Sequence, residues 1–460
     1  MKTELLLIVI FLMCFSVLPA PSQVSRNPKV FTVNSTADTF DAAPGNGACA
    51  DAGGQCTLRA AIAEANASPL PNDAIIFALS NPSTIDLTLG EMPLQGQYSI
   101  IGPGPDRLTI QRSLQAGTPD FRLFRMQGGG NIDIHGVTFR NGKATLGGAF
   151  YVDTSTLRLH NVVVADNQAT DGGGVYSLGG SLRVTSCLFH SNTATGSGGA
   201  ILLAAGTKTY LGSLISNTTI TNNHGQVIGA IANYRHLDLE NSTITNNTSV
   251  ENASGVYNSQ AGSVNVLSTI IGNNTMPQFT LSGAFVSGGH NIITDARNST
   301  GFSDGNNGDR VGISNSIDPM LGPLADNGGG IQTRALLPGS IAIDAGTGGC
   351  SLGRYEQRVR YNRCAGNGVD IGAFELNASN EPQFISFYIP LAASNESGAF
   401  YANTPVILID PVTGERRHSI VNLKGEFTFY DVDYGVISVI EVRSKRRLAK
   451  AVIPFSLLSY

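Results

Sequence analysis

The acidic residues that come closest to a metal-binding pattern lie in residues 303–309, where oxygen-bearing side chains alternate with glycine. Loops of this kind bind Ca²⁺ through hard oxygen ligands, and Asp304 and Asp309 are the candidate ligands here. No glutamate follows at the distance that would complete such a loop, so an ordinary turn is the favoured interpretation. The sequence therefore requires no cofactor and leaves Ca²⁺ as an alternative.

Two sets of polar residues recur at equivalent positions in successive stretches of the chain. The first set is Asp133, Arg158, Arg183 and Asp238, and the second is His135, His160, Thr185 and Glu240. Two stacked histidines could bind a metal, and acids held close to a base could cleave a polysaccharide. Alternating charges more simply indicate ion pairs on a solvated face, and the histidines an exposed pair on neighbouring strands.

Asp166 and Asp171 are the acids to test for carbohydrate cleavage, because they flank one asparagine. The sequence shows no Ser-His-Asp order, no zinc-ligand spacing and no phosphate-binding loop. Binding without catalysis is therefore the leading hypothesis, although catalysis stays open.

Four cysteines are close neighbours in pairs, Cys49 with Cys56 and Cys350 with Cys364. In an oxidising compartment each pair predicts a disulfide across a short loop. Neither pair has a nearby histidine to complete a zinc site. Cys187 is predicted to be a buried, unpaired thiol.

A repeated element must position these side chains, because five asparagines recur roughly every 25 residues. They are Asn167, Asn192, Asn223, Asn247 and Asn274. A repeat of this size with short β-rich runs predicts an all-β, right-handed parallel β-helix with about three strands per coil. The asparagine amides would then form a structural ladder from coil to coil, which explains them without a binding role.

An apolar residue lies three places before each of these asparagines, and Phe139 occupies the same place one coil earlier. The full column is Phe139, Val164, Phe189, Ile220, Ile244 and Ile271. Because strand side chains alternate between two faces, we expect all six to point into one continuous core.

The two ends of the chain set further expectations about where the protein works. Residues 1–22 have the basic start, apolar run and small-residue end of a secretory signal peptide. No later stretch reaches about 18 consecutive apolar residues, so no transmembrane segment is expected after it. A net charge of −5 gives no reason to expect nucleic acid. We expect a secreted protein, and the family resemblances described next imply a place at a bacterial surface, extracellular or associated with the outer membrane.

Residues 30–66 resemble the domain of secreted bacterial proteins that is named after its Cys-Ser-Leu-Arg-Glu-Ala motif. The matching segments are residues 31–38, 56–61 and 64–66, with Ala60 where the family has glutamate. Apolar spacing from Leu58 to Ala65 predicts a short helix, for which Thr57 is the candidate cap. Such a helix would cover the open first coil.

Two further blocks follow the coils, which are expected over residues 67–317. Residues 318–376 are similar to the domain called choice-of-anchor Q, through residues 318–329, 335–346 and 369–375. That resemblance implies an exported surface protein in which this block closes the C-terminal end of the β-helix. Residues 385–460 look like carboxypeptidase-regulatory or transthyretin-like modules, and their strand and turn pattern predicts a small β-sandwich.

The favoured function is non-enzymatic adhesion, or binding of an extended polysaccharide or a cell-surface partner, along faces rich in Asn, Thr and Ser. A polysaccharide lyase or glycoside hydrolase of the β-helix type is the first alternative. A structural spacer is the second, because no exposed aromatic stripe is apparent in the sequence. A carboxylate cluster in a groove would favour the enzyme, whereas paired charges on flat faces would favour binding.

Overall fold

The computed structural model describes residues 28–69, 72–206, 212–275, 279–314, 316–347, 356–358, 361–363 and 367–378. It also describes the backbone of the strands between residues 384 and 453. The predicted signal peptide, Cys350 and Cys364 lie outside the described residues.

Four parallel β-sheets wind through residues 30–311 as a solenoid of about eight turns. Sheet A has ten strands, Val30–Val33, Asp73–Phe77, Gln97–Ile101, Asn131–His135, Thr156–His160, Ser181–Thr185, Ser213–Ser216, His236–Glu240, Ser263–Leu267 and Val286–Gly289. Sheet B has ten, Ser83–Leu87, Leu108–Arg112, Thr138–Arg140, Val163–Ala165, Leu188–His190, Thr219–Thr221, Thr243–Thr245, Ile270–Gly272, Ile292–Ile293 and Arg310–Val311. The parallel β-solenoid predicted from the repeat is confirmed.

Sheet C has nine strands, Met92–Leu94, Phe124–Met126, Phe150–Asp153, Val175–Leu178, Ile201–Ala204, Ile231–Asn233, Ala253–Asn258, Phe279–Ala284 and Ser299–Thr300. Sheet D has five, Lys143–Leu146, Gln168–Asp171, Thr193–Ala194, His224–Gly225 and Thr248–Ser249. The middle coils therefore have four strands each, one more than expected. The extra strand follows the asparagine of each repeat and is as short as two residues, which is why the sequence pattern did not separate it.

One continuous apolar core fills the interior of the solenoid. The six residues of the predicted column are fully buried and pair in register from coil to coil. Phe124, Phe139 and Phe150 pack with ring centroids 5.0 to 5.4 Å apart in the first regular coils. The prediction for this column is confirmed.

The five repeated asparagines are buried and bonded to one another in series. Asn167 Nδ2 donates to Asn192 Oδ1 at 3.0 Å, and Asn192 Nδ2 to Asn223 Oδ1 at 2.9 Å. The same bond continues to Asn247 and then to Asn274, each at 2.9 Å. Each amide also bonds to backbone groups, so the ladder satisfies polar atoms that the core would otherwise leave orphaned.

The residue before each of these asparagines has a left-handed backbone. Asp166, Asn222 and Asn246 have φ between 54° and 56°. A second such row, which includes Asn161, Asn217 and Asn241, turns the chain from sheet A to sheet B. Asparagine and aspartate tolerate this conformation better than most residues, so the turns select these residue types.

The N-terminal end is covered by the helix Leu58–Ala67, whose N-cap Thr57 accepts a hydrogen bond from the Ala60 amide. The helix is held by a buried ion pair of 2.6 Å between Arg59 and Asp38. Glu64, on the same helix, accepts bonds from the amides of Gly45 and Gly47. The disulfide between Cys49 and Cys56 closes the loop before the helix, as predicted.

The described part of residues 318–376, here called the lateral strap, packs along the outer face of sheet B. It begins with the antiparallel strands Leu321–Asp326 and Gln332–Leu336. Ile331 packs against Val163 and Leu188, and Gln357 Nε2 donates to the Cys187 carbonyl at 2.9 Å. Further along, the Gly372 amide donates to the Ser268 carbonyl. Closure of the C-terminal end by this block stays a prediction.

The strands after residue 383 are antiparallel. Phe384–Tyr388 pairs with Glu426–Tyr430, and Arg416–Ile420, Pro405–Ile409, Ser438–Arg443 and Leu448–Ile453 form a four-stranded sheet in that order. A β-sandwich stays the prediction for this region. Among the described residues, no helix combines the length and apolarity needed to cross a bilayer.

Candidate ligand-binding cleft

Four tyrosines lie on or beside the outer face of sheet C. Tyr151 and Tyr176 are paired on adjacent strands, with ring centroids 5.9 Å apart and planes within 9° of parallel. Tyr234 and Tyr257 form a second, tilted pair at 5.7 Å. All four side chains are half-buried. The residues on either side of Tyr151 and Tyr176 in their strands are buried, so the alternation of a strand places these tyrosines outward.

The two tyrosine pairs are separated by a position where the outward side chains are smaller. Leu202 pairs with Tyr176 on the next strand, and Ala204 lies two residues further along that strand. A cavity of about 380 Å³ opens there. Its lining consists of Asp171, Tyr176, Ser197, Leu202, Ala204, Ala205 and Tyr234. The cleft thus has an aliphatic floor and aromatic sides.

Asp171 is the charged residue of this lining and ends a strand of sheet D at the turn into sheet C. Its Oδ1 accepts the Ser197 amide at 2.8 Å, which fixes the carboxylate at the cleft. Burial, followed by the charge of Asp171, raises the pKa of the Tyr176 hydroxyl. Burial, with Tyr257 and Asp171, also raises the pKa of Tyr234. Both phenols therefore stay protonated at neutral pH and can donate hydrogen bonds.

The far side of the first tyrosine pair is closed by an arginine. The Arg122 guanidinium lies 5.1 Å from the centre of the Tyr151 ring and makes a 2.6 Å ion pair with Glu91. Arg125 also reaches Glu91, at 3.5 Å. The positive charges at this end of the face are therefore compensated within the protein.

The predicted charged column on sheet A is only partly paired. Arg158 contacts Asp133 at 3.1 Å across adjacent strands. Arg183 has Arg158 on one side and Leu214 on the other, so it does not reach Asp238 through the register. Asp238 accepts a 2.8 Å bond from Asn265. His236 Nε2 also lies 3.3 Å from Asp238, so the polar groups of sheet A are engaged with one another.

The two histidines of the second column do stack, with ring centroids 5.5 Å apart. The expected exposure is wrong, because the side chain of His135 is buried at 5% exposure. Burial lowers the pKa of His135 to about 4 and, with the charge of its neighbour, that of His160 to about 3. Neither ring nitrogen of His135 has a hydrogen-bond partner among the described residues. Both rings are therefore neutral at physiological pH.

The candidate calcium ligands are engaged by the protein itself. Asp309 is buried and accepts bonds from Ser287 Oγ and from the Asn291 amide. Asp304 accepts the Val311 amide at 3.0 Å. Across the part of the chain that the structure describes, no group of three or more His, Cys, Asp or Glu side chains could hold a metal ion.

The remaining predicted residues fall in different places. Asp166 pairs with Arg140 at 2.6 Å on the other side of the asparagine corner, whereas Asp171 lines the cleft. Cys187 is a buried free thiol, and burial raises its pKa to about 12. It is therefore unreactive in the folded chain.

The chain matches no protein-family model and no curated protein. The three domain names suggested by sequence motifs thus rest on those motifs alone.

The tyrosine face was missed in the sequence because the four residues are unevenly spaced and interrupted by Leu202 and Ala232. A signal was present in a glycine that follows each repeated asparagine and begins a short step into the next strand, as in Gly174-Val175 and Gly255-Val256. Tyr176 and Tyr257 each stand two residues after the step glycine, Gly174 or Gly255. Aligning the coils on that glycine, instead of on the asparagine, places both on one outward face.

Proposed function

We propose that the solenoid is an exported glycan-binding protein that holds its ligand on the outer face of sheet C without cleaving it. The observation that carries this proposal is the cleft between Tyr176 and Tyr234, with Asp171 at its edge. Aromatic side chains with apolar bodies and polar tips suit a sugar ring, which has apolar faces and hydroxyl groups at its rim. Concave sites with a few placed polar groups are typical of ligand binding.

The composition of the lining favours binding over hydrolysis. A glycoside hydrolase uses two carboxyl groups on opposite sides of the scissile bond. The lining of this cleft contains one, Asp171, and its Oδ1 is already bonded to the Ser197 amide. A Ca²⁺-dependent lyase would need several acids that converge on one point, whereas Asp304 and Asp309 bond to different partners.

Export to a bacterial surface belongs to the same proposal and is supported by the signal-like residues 1–22 and by the disulfide Cys49–Cys56. Disulfides persist in oxidising compartments and are rare in the cytosol. A surface location would place the tyrosine face in contact with extracellular or cell-wall polysaccharides.

The proposal is tested by filling the cleft. Ala204→Tyr adds a ring at the floor of the cleft, on a strand where tyrosine is well tolerated. We expect the wild-type protein to bind one or more members of a polysaccharide panel, and the variant to bind at least tenfold more weakly. Thr84→Tyr is the matched control, because Thr84 is exposed on sheet B. Equal binding by Ala204→Tyr, or no binding by the wild type, would contradict the proposal, as would release of reducing ends or unsaturated uronides.

A further inference from the structure

The geometry points to the kind of sugar: we infer that the cleft accepts one uncharged pyranose ring inserted between Tyr176 and Tyr234, and that it rejects uronic acids. This inference rests on the proposed glycan-binding function. It adds that the ligand is one ring thick, that it is uncharged, and that Asp171 discriminates between neutral and acidic sugars.

The thickness follows from the stacking of the coils. Tyr176 lies one coil before Leu202 and Ala204, and Tyr234 lies one coil after them. Neighbouring strands are about 4.8 Å apart, so the coils that carry the two tyrosines are separated by roughly 9.6 Å along the solenoid. Leu202 pairs with Ala232, so Tyr234 is two residues further along the chain and level with Ala204. A ring in van der Waals contact on both faces needs about 7–8 Å between flanking atoms. The spacing along the axis is therefore that of one intervening ring.

Both tyrosines already use one side for contacts within the protein. Tyr176 stacks on Tyr151 at 5.9 Å, and Tyr234 packs against Tyr257 at 5.7 Å. Both tyrosines also line the cavity. This arrangement holds both rings in place before a ligand arrives, which reduces the entropy lost on binding.

The charge preference follows from Asp171. Asp171 lines the cavity together with both tyrosines, and its charge adds to the effect of burial in raising the pKa of each. Among the cavity-lining residues that the structure describes, no cation opposes it. A neutral sugar hydroxyl can donate a hydrogen bond to this carboxylate, whereas the carboxylate of a uronic acid would be repelled by it.

A compact organic cation is the competing occupant, because carboxylates and aromatic faces also attract ammonium groups. The shape favours the sugar. The lining combines two tyrosines with an aliphatic floor, which suits a flat ring, whereas aromatic cages surround a cation on several sides.

The experiment compares matched oligosaccharides by titration calorimetry. A neutral galactan oligomer and an oligogalacturonate of the same length are titrated into the wild type, Asp171→Asn and Asp153→Asn. We expect the wild type to bind the neutral oligomer at least tenfold more tightly than the uronate. Asp171→Asn keeps the Oδ1 that accepts the Ser197 amide and should reduce this preference to less than threefold. Asp153→Asn, outside the cavity lining, should retain it.

The possible results separate the two proposals. Binding of both oligomers with equal affinity by the wild type would overturn the charge inference while leaving glycan binding intact. Displacement of the neutral oligomer by tetramethylammonium chloride, but not by sodium chloride, would overturn it in favour of a cation site. If no neutral or acidic glycan of a wider panel binds, the proposed function fails and this inference fails with it. The wild-type comparison needs no variant to fold.

Discussion

Asn223 shows how one buried amide connects three coils of the solenoid. Its Oδ1 accepts the amide and the Nδ2 group of Asn192. Its Nδ2 donates to the Phe189 carbonyl at 3.0 Å and to Asn247 Oδ1 at 2.9 Å. An apolar residue of the same size could fill the space but could make none of these bonds. The residue type is therefore set by hydrogen bonding and not by packing.

Replacing Asn223 by leucine should cost about 2–4 kcal/mol in the free energy of unfolding, because several buried polar groups lose their partner together. Urea denaturation followed by circular dichroism measures this loss. Gln168→Leu is the control, since Gln168 is exposed on sheet D. Equal stability of the two variants would show that the ladder does not contribute.

His135 gives a second prediction for a single residue, on pH dependence. Its pKa falls from the ordinary value of 6.5 to about 4 in the folded chain because the ring is buried. Between these values the unfolded chain takes up a proton that the folded chain does not. Stability should therefore decrease as pH falls from about 6.5 to 4, by up to about 3 kcal/mol from this residue.

Thermal unfolding at pH 7 and pH 4.5 tests this effect in the wild type and in His135→Gln. The variant should lose less stability on acidification than the wild type. Gln168→Leu, an exposed change that alters no titratable group, should behave like the wild type. A parallel response of all three proteins would rule out His135 as a source of acid sensitivity.

At the scale of elements, the lateral strap carries a concentration of buried charged residues. Arg358 lies between the rings of Tyr361 and Phe374, 4.0 Å from each centre, and pairs with Glu356. Arg363 is buried and donates to the Gly372 carbonyl. Buried ions are costly unless they are paired, so the strap depends on this network being complete.

Glu375 makes the strap sensitive to pH in the opposite direction from His135. Burial raises its pKa to about 8, and its Oε1 has no partner among the described residues. The folded chain therefore keeps a proton that the unfolded chain releases above about pH 4.5. Stability from this residue is full below that pH and is lost as pH rises towards 8, on the order of 2–4 kcal/mol.

Hydrogen exchange of the strap amides, such as those of Ile371 and Gly372, measures this effect directly. Protection in the wild type should fall between pH 5 and pH 8, after correction for the intrinsic exchange rate. Glu375→Gln should show a flatter profile because the group no longer titrates. A steep loss of protection in the variant as well would assign the effect to another group.

Over the whole molecule, stability comes from contacts between neighbouring coils. Each coil pairs with the coils before and after it, in sheets that continue through the middle of the solenoid. Such structures behave approximately as a sum of coil stabilities and interface terms. Damage in a central coil should therefore disrupt two interfaces, whereas damage at an end disrupts one.

Ile244→Asp should be severely destabilising, by more than about 4 kcal/mol, since it places an unpaired charge between Ile220 and Ile271 in the core. We expect loss of the cooperative urea transition or of soluble expression. Asn246→Asp is the control, because Asn246 is an exposed residue of the same coil. At the equivalent corner of an earlier coil the chain already has an aspartate, Asp166. A native-like transition for Ile244→Asp would contradict the core assignment.

The sequence alone determined the solenoid, because this fold depends on a short pattern of residues that recurs in each coil. One apolar residue, one asparagine and one glycine step recur in each coil, and strand alternation converts the recurrence into an inward column and a ladder. Helix Leu58–Ala67 and the Cys49–Cys56 bond were predictable for the same reason, since capping and short-loop pairing depend on near neighbours.

Only the tertiary structure decided which outward residues meet. The stacking of the coils brings Tyr176 and Tyr234 to one cavity beside Leu202 and Ala204, although 58 positions of chain numbering separate the tyrosines. Likewise, the strap covers sheet B through residues more than a hundred positions away, as in the 170-residue separation of Cys187 and Gln357. Outward side chains do not have to fill a common core, so their types follow no regular pattern along the sequence. Which of them come together depends on the stacking of the coils and on the strap that covers sheet B.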